Sequence, residues 1–277
     1  MKPLKLKKIK ATWGMTGPIE QQLAQIAEAG YDGVEAPLIF MDDRGRFSRL
    51  LAENKLELVA QVVSYGPPDA WRKHADEFTE QMHQAADMGA ILVDCHGGRD
   101  AMSFDDQCRY YEIALKVEQE TGVPVGHETH RGRPTYTPWT TAKLLKQFPD
   151  MKITADISHW LCVCESYLDD MQEHLELASE RAIHIHARVG HPQGPQVPHP
   201  GAPEFEHELN VHEAFWDKVL RNRVNAGAEY MTFTPEFGPP GYMPTLPFTK
   251  QPVSDLWDVC LWMRNRFEHK FAGYFQS

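Results

Sequence analysis

The sequence predicts an α/β fold, a single-domain (β/α)8 TIM barrel, on three observations. A short phrase recurs along the 277 residues: a helix-like run, often stopped by Gly, then a short apolar strand that ends in a polar residue. The phrase yields eight strands alternating with eight helical stretches, and alternating β and α elements make a parallel sheet. No glycine-rich phosphate loop follows the first strand, where "TWGMTGP" stands, so the open doubly wound sheet is the lesser alternative.

The strands, in order, are "KIKATWGM", "YDGVEAP", "KLELVAQVVSYG", "GAILVDCH", "GVPVGHET", "MKITADISH", "RAIHIHARV" and "GAEYMTFTPEF". Gly30, Gly89, Gly122 and Gly227 stop the preceding helices, each at the position just past a helix where a left-handed backbone strains a Cβ. Helices are expected at 18–29, 43–54, 69–88, 104–121, 137–148, 166–179, 210–226 and 252–270, with "CVC" (162–164) opening the sixth. The whole of 1–277 reads as one barrel. The only long Pro/Gly-rich segment, 187–207, follows the seventh strand, and a loop of that length at a strand's carboxyl end is expected to cover the active site.

A formal net charge of -11 makes nucleic acid a disfavoured partner. No stretch approaches the roughly 20 apolar residues of a membrane span, and the basic N-terminus lacks the apolar run of a signal peptide. Cys95, Cys108, Cys162, Cys164 and Cys260 lack metal-finger spacing and read as reduced thiols, which suits a cytoplasmic protein.

Strand alternation then locates the chemistry. In "VGHE", "ITAD", "IHIH" and "MTFTPE", the face ending in an acid or His is otherwise small or polar, and the other face is apolar. Glu128, Asp156, His186 and Glu236 should therefore point inward at similar heights. Three carboxylates in one pocket repel strongly unless a cation compensates. With one imidazole they make a good divalent-cation set, leaning toward Mn²⁺, Mg²⁺ or Co²⁺ and admitting Zn²⁺. His184, one pleat below His186, is expected to support it by hydrogen bonding. His159, His96, His130, Glu35 and Arg188 lie at or near strand ends as expected substrate contacts, with Arg188 at the rim. Trp13, Tyr65, Trp160 and Tyr242 could wall a sugar pocket. No G-x-S-x-G elbow and no inward strand-end Lys are present, which argues against serine-hydrolase and Schiff-base chemistry.

Glu128, then Asp156 with His159, then His184 with His186, then Glu236, on strands five to eight, resembles the xylose isomerase-like TIM-barrel superfamily over residues 8–270. The resemblance implies one divalent metal on Glu128, Asp156, His186 and Glu236. It also implies that Glu128 and Glu236 exchange protons with a sugar-like hydroxy-carbonyl substrate through a metal-stabilised enediolate, as an isomerase or epimerase does, with His159 orienting a hydroxyl. Relatives often pair or form tetramers, so a homo-oligomer is expected as well. The alternative is a lyase or dehydratase on the same site, with His130, His191 or His199 as acid; remoter readings are an apurinic endonuclease and a non-catalytic barrel. Two departures, "THRGRPTY" with His130, Arg131 and Arg133 where ketose epimerases carry a further Glu, and Pro192 where they carry Arg, point to a more anionic or otherwise altered substrate.

Overall fold

In the computed structural model, which describes residues 3–276, eight parallel strands close into one barrel in sequence order. They are β1 (Lys5–Ala11), β2 (Gly33–Pro37), β3 (Glu57–Val63), β4 (Leu92–His96), β5 (Val125–Glu128), β6 (Lys152–Ala155), β7 (Ala182–His186) and β8 (Tyr230–Thr234). Pairing of β8 with β1 completes the closure. The expected Gly30, Gly89, Gly122 and Gly227 all have a positive φ, between 70° and 79°.

Around the strands lie α1 (Ile19–Glu28), α2 (Arg44–Asn54), α3 (Trp71–Asp87), α4 (Phe104–Thr121) and α5 (Pro138–Gln147). They are followed by α6 (Ile157–Cys164), α7 (Gln172–Arg181), α8 (Glu206–Asn225) and α9 (Leu256–Lys270). The sixth expected helix, 166–179, is instead two. Asp156 follows β6 directly and its side chain accepts the Ser158 backbone N–H, which starts α6 nine residues earlier than expected. Residues 162–164 form the end of α6, where Glu165 adopts a left-handed φ of 48°. No described helix is long and apolar enough to cross a membrane.

Strand alternation gives the barrel wall two buried faces. The outer face, with Val93, Ile153, Ile185 and Phe233, belongs to the large core beneath the helices. Phe233 stacks on Phe267 of α9 with ring centroids 4.1 Å apart. Inside, Ile9, Val59, Leu92 and Ile183 form a small separate apolar floor. Ile183 corrects the expected alternation, which put it outside with Ile185. Ile153 pairs with Ala182 but Thr154 pairs with His184, so β7 carries one extra residue and the register shifts there. The shift leaves His184 and His186 above an apolar plug.

Phe233→Ala should destabilise the fold by about 3–5 kcal/mol in chemical denaturation, because an outward-facing ring is lost from a packed core.

Candidate functional site

The four expected residues come together above that floor. Glu128 ends β5, Asp156 follows β6, His186 ends β7 and Glu236 lies two residues beyond β8. One ligand atom from each lies within 4.8 Å of the others, and all four side chains are buried. Asp156 divides its two oxygens. Oδ1 caps α6, accepting from Ser158 N at 2.9 Å, while Oδ2 faces the cluster.

His186 is gripped from both sides. Nδ1 donates to Glu128 Oε1 at 3.2 Å and faces Glu236 Oε2 at 3.2 Å. Nε2 donates to Glu35 Oε1 at 3.1 Å. Burial works against its charge, but Glu35, Glu236, Asp94 and Glu128 outweigh it and hold the imidazole protonated well above its usual range. Glu35 lies under the cluster, not on a substrate surface. It also accepts from Thr234 Oγ1 at 2.6 Å and from His184 Nε2 at 3.3 Å. Burial raises its pKa, yet His186 and His184 together carry it below the usual carboxylate range. The other nitrogen of His184 is hydrogen-bonded to Thr232 Oγ1 at 2.7 Å.

Arg188 corrects the expectation of a rim residue. Its side chain is buried, and its guanidinium donates to Asp156 Oδ2 and forms an ion pair with Glu236 Oε2 at 3.2 Å. It also donates to His159 Nε2 at 2.7 Å, so His159 is neutral there. Burial, with His130 and Arg188 beside it, holds the pKa of His159 well below normal. His130 packs against His159 with ring centroids 3.9 Å apart and planes tilted by 48°, and burial lowers its pKa to about 3.

His96 faces two carboxylates: Asp94 Oδ2 at 3.0 Å and Glu128 Oε2. Burial opposes its charge, but Glu128 and Asp94 prevail and push its pKa up to about 10. Asp94 is the buried acid that the sequence reading missed, although alternation in "LVDCH" puts it on the same face as His96.

A cavity of about 640 Å³ opens above the cluster. Arg188, Glu236, His96, His130, Trp13 and Tyr242 line it, whereas Glu35 and His159 do not reach it. Trp13 meets Tyr242 edge to face at 4.9 Å. Trp160 does not wall the cavity; it is core, donating its indole N–H to Thr135 O at 2.9 Å. Arg133 reaches the cavity but spends Nη1 on the carbonyls of Ser64 and Gly98, both at 3.0 Å. Of the 187–207 loop, only Arg188 lines the cavity among the described residues. The loop folds against itself and against Gly238, which donates to Gln196 Oε1 at 2.7 Å. His191 hydrogen-bonds Gly194 through the backbone and His199 packs on Trp262, so neither joins the cavity wall.

The donor set fits a divalent cation. Three carboxylates with one imidazole suit Mn²⁺, Mg²⁺, Co²⁺ or Zn²⁺, and the Glu35–His186 bond is the kind that orients a ligating imidazole.

Comparison with known proteins gives a consistent picture. The profile of the xylose isomerase-like TIM barrel family matches residues 23–220. No curated protein sequence matches the chain. The D-allulose 3-epimerase of Methylomonas sp., in complex with D-allulose, is similar at 12% identity and a TM-score of 0.63, over 97% of this chain and 98% of that one. The IolI protein with a zinc atom is similar at 12% identity and 0.67, over 98% and 100%. The probable 3-DHS dehydratase AsbF of Bacillus anthracis is similar at 14% identity and 0.61, over 94% and 98%. At these identities the likeness is one of fold.

Two outcomes are expected from the geometry. Glu35→Gln should weaken Mn²⁺ binding by about 10–100-fold in calorimetric titration, since the imidazole loses its orienting partner. Metal binding should also release protons, because His186 must give up its Nδ1 proton to coordinate; titration in buffers of different ionisation enthalpy measures this, and affinity should fall as pH falls.

Proposed function

On the premise that this chain belongs to the xylose isomerase-like TIM-barrel family, we propose that it is a divalent-metal-dependent isomerase or epimerase of a sugar or sugar-like hydroxy-carbonyl compound. The observation that carries the reading is the convergence of Glu128, Asp156, His186 and Glu236, of which Glu236 lines a cavity with a polar inner wall. These four residues would hold the ion. When bound, it would polarise the substrate's carbonyl and hydroxyl oxygens and stabilise the enediolate.

The protein supplies the rest. Glu236 reaches the cavity and would take a proton from a carbon beside the carbonyl. Glu128 lies beneath, against His96, and that imidazole keeps a proton between the carboxylate and the cavity. Arg188, fixed by Asp156 and His159, offers donors to substrate oxygens without moving freely. Trp13 and Tyr242 exclude water from one side and give a sugar ring an apolar wall.

A second reading has one observation in its favour. β-Elimination needs an acid over the leaving group, and His96, held protonated, lines the cavity. A lyase or dehydratase would use it there. His130 is on the wall too, but burial keeps it neutral.

Deuterium incorporation from solvent into keto-sugars, with the Mn²⁺-loaded protein, tests the proposal. Glu236→Gln should slow incorporation by about 10²–10⁴-fold. No incorporation into any keto-sugar would contradict it, and a product lacking water or a substituent would establish elimination instead.

A further inference from the structure

The cavity is built in two unlike halves. The ends of β4, β5, β7 and β8 supply the polar half, with His96, His130, Arg188 and Glu236. The segments after β1 and β2 supply the other half, with Met15, Ile19, Phe40, Met41 and Phe47. Of the charged groups at this second end, Asp43 caps α2 by accepting Arg46 N at 2.8 Å and the Arg46 guanidinium pairs with Glu20, while Asp42 stands exposed at the cavity's edge.

Exposure calls for a ligand that reaches beyond the polar half. Phe40, at the end of a single 3-10 turn over Leu38–Phe40, is 73% exposed, and Tyr65 on the same cavity is 55% exposed. Large apolar side chains left open to water around a concave site mark a surface meant to be covered.

We propose that the cavity takes a two-part ligand: a hydroxylated sugar ring at the Arg188–Glu236–His96 end, carrying a flat apolar substituent, an aryl group, that covers Ile19 and Phe40. The polar half rests on the isomerase or lyase reading above; the apolar subsite adds the substrate class. A free ketose would fill one half and leave the aromatic end wet.

Binding of phenyl and methyl β-D-glucopyranoside to the Mn²⁺-loaded protein, by calorimetry and saturation-transfer NMR, tests the subsite. The phenyl glycoside should bind at least about tenfold tighter, as expected for burying an aromatic face. Its aryl protons should receive the strongest saturation. Phe40→Ala and Ile19→Ala should erase most of the preference, and Phe40, being exposed, can be replaced without disturbing the core. Glu236→Gln should retain it. Equal affinities, or no binding of either glycoside, overturn the subsite. If deuterium exchange into simple keto-sugars still depends on Glu236, the catalytic reading survives that loss; if exchange fails while the phenyl preference persists, the catalytic reading fails and the subsite stands.

Discussion

Carboxylates that share one dry pocket must be given a positive charge, and much of the barrel's interior is arranged around that need. Two unit charges about 4 Å apart interact by about 4 kcal/mol at an effective dielectric near 20. Glu128, Asp156 and Glu236 offer ligand atoms within 4.8 Å of one another, with Glu35 and Asp94 buried close by. Arg188 answers Asp156 and Glu236, His186 answers Glu35 and Glu128, and His96 answers Asp94 and Glu128. The protons on the two imidazoles are a consequence of the same crowding. A divalent cation would deliver more charge to the same oxygens than any of these groups, and the donor set fits one.

The support of this centre comes from across the barrel as well as from neighbouring strands. Glu35 on β2 reaches His184 and His186 on β7, while the apolar floor of Ile9, Val59, Leu92 and Ile183 closes the space beneath. Asp156 does double service, capping α6 with one oxygen and facing the cluster with the other. A change to that residue therefore touches both the fold and the centre, whereas Glu35 can lose its charge with its volume kept.

Much of this was legible in the sequence because it depends on period two. Alternation alone brought Glu128, Asp156, His186 and Glu236 to one face, and the same rule in "LVDCH" held the clue to Asp94. What escaped were non-local effects. No local pattern says that Glu35 meets a residue about 150 positions away. The extra residue at Ile183 leaves no Gly or Pro to announce it, so one side chain changed faces. Arg188 looked like a rim group because a long loop follows it, but its charge draws it down among the acids. Length likewise favoured 187–207 as the cover of the site, whereas the shorter segments after β1 and β2 wall the cavity and carry its apolar side chains. Loop length identified a folded segment; cavity shape identifies where a substrate would be distinguished.

The most direct measurement is anomalous diffraction from crystals of the protein grown or soaked with Mn²⁺. A single peak ligated by Glu128, Asp156, His186 Nδ1 and Glu236, at oxygen and nitrogen distances of about 2.0–2.3 Å, is expected. Absence of a peak at saturating Mn²⁺, with Arg188 still bound to Asp156 and Glu236, would mean that the guanidinium and the imidazoles neutralise the cluster by themselves and that the site is not a metal centre.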